Sequence, residues 1–147
     1  MGDFSKDINS TFSNEWIKVL LNIKYTSNYI NSISEQQFKP YGISGQQYNV
    51  LRILRGAKKA ISVNTIRNRM VEKSPNLTRL MDKLCIKGYV KRTRSDEDRR
   101  TVYAEITELG LTFLNDIQLK DARLKLDVLI SEEEAKTLNS LLDKLRQ

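Results

Sequence analysis

The stretch "KSPNLTRLMDK", residues 73–83, gathers side chains whose hydrogen bonds come in planes and forks. Arg79 can donate two parallel bonds to a guanine edge, Asn76 can pair with an adenine edge, and Thr78 can touch a thymine methyl or a phosphate. Ser74 is counted with them as a candidate for base readout. Lys73 and Lys83, point charges on flexible stems, suit phosphates. A second stretch, "RTRSDEDRRTVYAEITELG", residues 92–110, places Arg94, Arg99 and Arg100 around an acidic turn and runs on into an alternating strand. Covalent chemistry is poorly supplied. Acid–base and nucleophilic catalysis draw on His, Cys or paired carboxylates in a cleft, and this chain has no His and a single cysteine, Cys85. The common zinc sites cannot be assembled without His or more Cys, and Asp96, Glu97 and Asp98 lack the further ligands of a calcium loop. No cofactor or metal is expected.

Charge follows the same two stretches. Residues 52–103 hold fifteen Lys and Arg against five Asp and Glu, a net +10, while the rest of the chain is −3, which together make the +7 of the whole. A basic segment between slightly acidic ends is the electrostatic footprint of a module that binds a polyanion. The plainer alternative is a solvated basic face. A chain of 147 residues supports one core and a single domain. Nothing approaches the roughly 18–20 apolar residues of a membrane span, and residues 1–14 lack the layout of a signal peptide. With one cysteine and no disulfide, a reducing, cytoplasmic setting is expected.

The elements that must position these residues follow from caps and periodicity. Trp16, Val19, Leu20, Ile23, Ile30 and Ile33 predict a first helix over residues 14–38, ended near Pro40, with Tyr41 and Gly42 turning the chain. Ser44 and Gln47 form a capping box for a second helix that stops near Gly56. Ser62 caps a brief third helix through Met70, and Ser74-Pro75 is the start signal of a fourth that runs to Gly88. On that fourth helix Leu77, Leu80, Met81 and Leu84 share one face, while Pro75, Arg79, Asp82 and Lys83 share the other. The strands "YVKRTR" and "RTVYAEIT" then form a hairpin closed by Ser95 to Asp98. Thr107 caps a long fifth helix bearing Leu111, Phe113, Leu114, Ile117 and Leu124. Ser131 and Glu134 box the last, which carries Ala135, Leu138, Leu141, Leu142 and Leu145. The fold class is therefore mostly α with a small β-hairpin wing: a winged helix-turn-helix, residues 44–107, with helical regions 1–40 and 108–147 on either side.

At "SPNLTRLMDKLCIKGYVKR" and "DEDRRTVYAEITELG" the chain resembles the MarR family of bacterial transcriptional regulators. The wing pattern of that family falls on Asp98, Arg100, Ile106, Thr107 and Gly110, and Ile66-Arg67 stands where the family often has Leu-Ala. The resemblance implies a sequence-specific, dimeric, ligand-responsive repressor that reads an inverted repeat in double-stranded DNA. The recognition helix would enter the major groove, and Arg100, its side chain held by a salt bridge to Asp98, the minor groove. It also implies a homodimer made through the terminal helices. In ligand-responsive relatives small aromatic, often anionic molecules bind between those helices and the DNA-binding lobe; Trp16, Tyr25, Tyr48 and Arg55 are the candidates here, against the plainer reading of the aromatics as core. Some relatives sense peroxide through a cysteine at the start of the first helix, and "SNEWIKVLL" has none. Cys85, beside Leu84 on the packing side, reads as an inert small hydrophobe. The alternative function is a winged-helix module that binds protein or RNA without operator readout. RNA readers expose aromatics for stacking, whereas the recognition face has none, and Tyr89 and Tyr103 on the wing read as packing residues.

Overall fold

Side-chain caps start most helices of the computed structural model, which describes residues 3–117 and 126–147. Helix α1 is Phe4–Asp7 and α2 is Glu15–Phe38, followed by a 3-10 turn at Lys39–Tyr41 that Gly42 closes with φ 67°. Then come α3 (Gly45–Ala57), β1 (Ile61–Ser62), α4 (Val63–Arg69), α5 (Leu77–Ile86), β2 (Val90–Arg94), β3 (Val102–Ile106), α6 (Glu108–Asp116), α7 (Leu126–Leu129) and α8 (Glu132–Lys144). Both halves of the two expected capping boxes form: Ser44 Oγ accepts from Gln47 N at 3.1 Å and Gln47 returns to Ser44 N at 3.0 Å, with the same exchange between Ser131 and Glu134. Ser62 caps α4 through Thr65 N. Thr107 does double duty. Its Oγ1 accepts from Gly110 N at 3.1 Å and donates to Gly88 O at 2.6 Å, which ties the start of α6 to the end of the recognition segment. Gly110 itself is required by space, since a Cβ there would stand 2.3 Å from the Tyr89 carbonyl oxygen.

Three expectations change. The fourth helix starts later than Ser74: Asn76 is its N-cap position, and Ser74 Oγ instead accepts from Asn76 N at 3.2 Å, bracing the turn before the helix. The hairpin is part of a three-stranded antiparallel sheet in the order β1-β3-β2, because Ile61 and Ser62 pair with Ala104 and Tyr103 on its free edge. Two residues give no alternation to detect in a sequence. Helix α6 gives way at Ile117, whose backbone is extended, and the expected continuation through Leu124 lies outside the described residues. The short α1 was not foreseen; Asp3 caps it, and Phe4 stacks on Phe12 and leans on Tyr25, each with ring centroids 5.4 Å apart. The Ser5 backbone N–H holds the Asp3 carboxyl below its ordinary range, with Lys18 adding to the effect against slight desolvation.

One core serves the middle of the chain. Val50, Leu51 and Leu54 of α3, Ile66 of α4, and Leu77, Met81 and Leu84 of α5 are fully buried, and Val90 and Ala104 close it from the sheet. Phe38 from α2, Leu114 from α6 and Ile117 just past its end complete it, so this lobe draws on residues outside 44–107. Truncating one such Leu to Ala costs about 2–5 kcal/mol, so the inner face of α5 fixes the direction of its outer face. Arg67 is exposed beside the buried Ile66, so the position where the family's usual residue is smaller needs no room in the core. The first and last helices are different. Along the 24 residues of α2 only Ile33 and Phe38 are buried, and α8 buries none of its residues.

Candidate nucleic-acid interface

With its inner face committed to the core, α5 turns Asn76, Thr78, Arg79 and Lys83 to solvent, and Lys73 and Pro75 are exposed just before it. Ser74 does not join them: it is 8% exposed and its hydroxyl is used in the turn, so it supports Asn76 and does not face a partner. Arg94 ends β2, and Arg99 and Arg100 stand exposed beyond the turn. The turn is organised by Asp98. Its Oδ1 accepts from the Arg100 backbone N–H at 3.0 Å and its Oδ2 from the Thr101 hydroxyl at 2.9 Å, while Ser95 Oγ accepts from Asp98 N at 3.2 Å. The expected Asp98–Arg100 salt bridge is not among the ion pairs of the described residues; Asp98 orients Arg100 through its backbone and leaves the guanidinium free to project. The spacing of Asp98 and Arg100 suits an Asx-type turn, in which the carboxylate captures the amide two residues on.

Helix and wing face one another across a hollow of about 440 Å³. Thr78 of α5, Asn64 and Arg67 of α4, Arg92 of β2 and Arg100 of the wing all line it, so three guanidinium groups border a single concave surface. Arg92 is tied down. Its Nη2 donates to Asp82 Oδ1 at 2.5 Å, with side chains 32% and 46% exposed. Desolvation is the largest single influence and opposes the Arg92 charge, but the hydrogen bond donated to Asp82 and the attractions of Cys85 and Asp82 together outweigh it, and the guanidinium pKa is raised. Reading the sequence placed Asp82 on the exposed face and missed this pair. Cys85 is half-buried and packs against the core. Tyr89 stacks on Phe113 with centroids 4.2 Å apart, as a packing residue, whereas Tyr103 is 37% exposed on the outer face of β3.

The family model described as transcriptional regulator SarA/Rot matches residues 32–117, which span α3 to α6 and the whole of this surface. The chain belongs to the SarA/Rot family of transcriptional regulators. As a SarA/Rot member it is a winged-helix, DNA-binding regulator, and the resemblance to MarR regulators holds in the fold. PecS of Dickeya dadantii (strain 3937), an HTH-type transcriptional regulator, is 29% identical over 133 residues, covering 88% of this chain and 80% of that protein. A cysteine-to-serine mutant of E. coli MarR complexed with operator DNA matches with a TM-score of 0.76 at 24% identity, over 92% of this chain and 99% of that one. The S. aureus MepR–DNA complex matches with a TM-score of 0.74 at 18% identity, over 92% and 97%.

Within this SarA/Rot chain the four residues expected to line an effector crevice are not brought together. Trp16 and Phe38 are about 33 Å apart along α2 at 1.5 Å per residue, and Tyr48 stacks on Phe38 with centroids 4.4 Å apart. Tyr25 is occupied by Phe4, and Arg55 is exposed on α3. Trp16, 83% exposed, lies instead in an apolar groove of about 530 Å³ between α2 and α8, with Val19, Leu20, Ile23, Leu142 and Leu145. A separate crevice of about 390 Å³ opens between α2, the start of α3 and the turn before α5. It carries Glu35 and Glu72 and no Lys or Arg, and Gln46 donates to Glu72 across it at 2.9 Å. Among the described residues no three His, Cys, Asp or Glu converge as metal ligands would, and no helix is long and apolar enough to cross a membrane.

Proposed function

We propose that this regulator binds an inverted repeat in duplex DNA as a homodimer, with the outer face of α5 in the major groove and the wing in the adjacent minor groove. The observation that carries the reading is the shared hollow: Thr78 of the recognition helix and Arg100 of the wing border the same arginine-lined concavity, so both can meet one duplex from one side. Asn76, Thr78 and Arg79 then read base edges, Lys73, Lys83 and Arg94 hold phosphates, and Arg100 enters a narrow minor groove where negative potential is concentrated. Arg99 beside it adds to the attraction. A single α5 reads only a half-site, and two-fold symmetry of the protein is matched by an inverted repeat in the DNA.

The second copy is seated on α2 and α8. Leu20, Leu138, Leu141 and Leu145 are each at least half exposed in the single chain, together with Trp16. Exposed apolar side chains clustered on two helices mark an interface. On promoter-proximal DNA such a dimer would exclude polymerase, and repression is therefore the proposed sign of regulation. An effector acts by favouring a dimer whose two α5 helices are spaced wrongly for the operator; it must bind that form more tightly, since equal binding changes nothing. Footprinting on genomic fragments enriched by the purified protein is the test, repeated with neutral, cationic and anionic aromatic molecules and with peroxide. Two protected half-sites about one helical turn apart are expected, released by a small molecule and not by oxidation. A single protected patch would remove the dimeric reading, and peroxide release that disappears in Cys85→Ser would remove the small-ligand one.

A further inference from the structure

The covalent link between the recognition helix and the wing is short and bent. Helix α5 closes with Gly88 N donating to Cys85 O at 2.9 Å and Tyr89 N to Leu84 O at 3.0 Å, and Gly88 turns the chain at φ 76°. From that bend α5 runs one way and β2 the other, so the opening between them needs a second point of attachment. Arg92 supplies it because of register. It lies two residues beyond the buried Val90, on the same face of β2, directly across from Ala104, which is 1% exposed and leaves room for a long stem. The guanidinium thereby crosses to α5 and meets Asp82 at 2.5 Å.

We infer that Asp82 is a positioning residue for DNA recognition: by holding Arg92 against the flank of α5 it sets the opening between helix and wing and keeps that arginine off the phosphate backbone. The inference rests on the proposed engagement of α5 and the wing with one duplex. Two considerations favour recognition over stability as the role of the pair. A half-exposed ion pair contributes little to folding. A carboxylate on a helix that lies against phosphates also repels its own ligand unless a cation neutralises it. Arg92 already lines the hollow with Arg67 and Arg100, so once released from Asp82 its guanidinium would have a phosphate as its natural counterion. The arginine would then bind any sequence.

The test compares the parent, Asp82→Asn, Arg92→Gln and the double variant on a random-sequence duplex and on the duplex best enriched from genomic fragments, across a range of salt, with thermal melting beside it. Asp82→Asn is expected to bind the random duplex more tightly, with a slope of log affinity against log salt steeper by about 0.9, the value for one added phosphate contact. Its preference for the enriched duplex should fall severalfold while melting stays with the parent. Arg92→Gln should keep the parental slope and lose preference, and the double variant should also keep that slope. The inference is overturned if Asp82→Asn leaves slope and preference unchanged, or if Arg92→Gln alone makes the slope shallower by about 0.9, because Arg92 would then already be on a phosphate. A parent protein with no preference between the two duplexes overturns the underlying reading as well, so the two failures are told apart by the parent's own titration.

Discussion

Arg79 and Lys83 stand about one turn apart on the open side of α5, yet their removal should fail DNA binding in different ways. Arg79→Ala is expected to cost roughly 1–3 kcal/mol on the preferred duplex and to relax preference at one base pair, whereas Lys83→Ala should weaken all sequences alike. Arg100→Ala should lose affinity mainly where A/T-rich DNA flanks the half-sites, since its proposed partner is groove shape and not a base edge. Titration of the three variants on matched and scrambled duplexes checks this; equal losses on both for all three would contradict the assignment. The readable residues are those whose role is local. Thr107 and Gly110 act within three positions of each other, one as a cap and one through a missing side chain, and both stood out in the chain. Ser74 misled because Ser-Pro is a valid helix start, and only packing decides that the first turn begins at Asn76. The Asp82–Arg92 pair was hidden because its members lie ten positions apart and meet only once the register of β2 is set.

Helices announced themselves through caps, because a cap is a bond between neighbours in sequence. The capping boxes at Ser44 and Ser131 needed no tertiary information to be seen. Strand β1 needed all of it: Ile61 and Ser62 are extended because β3 offers them an edge. The apolar stripes of α2 and α8 lie between these cases. Their residues were visible, but a stripe does not say what covers it, and in the single chain it is left uncovered, with Leu141 at 55% and Leu145 at 62% exposure. Deleting residues 131–147, or replacing Leu138 and Leu141 with Lys, is therefore expected to convert a dimer into monomer or aggregate in sedimentation velocity. The double substitution is the cleaner version, because both side chains are at least half exposed and their loss leaves the lobe core intact. An unchanged dimer after either alteration would place the interface elsewhere.

At the scale of the molecule the chain divides its charge and its apolar surface between two tasks. The net +10 of residues 52–103 lies on the lobe that carries α5 and the wing, and the exposed apolar surface of α2 and α8 lies on the helical arm. The crevice between arm and lobe has carboxylates and no cation among its lining residues, so it suits neutral or cationic molecules better than anions. The division itself makes a quantitative demand. Non-specific attraction by the basic lobe falls steeply with salt, whereas the proposed base readout by two α5 helices would leave a preference that survives it. The most direct measurement is fluorescence anisotropy at about 150 mM salt, with the enriched duplex and a scrambled duplex of equal length titrated in parallel. A preference of at least about 10³-fold for the enriched duplex is expected, with two chains bound per duplex. Equal affinity for the two duplexes, or saturation at one chain per duplex, would contradict it.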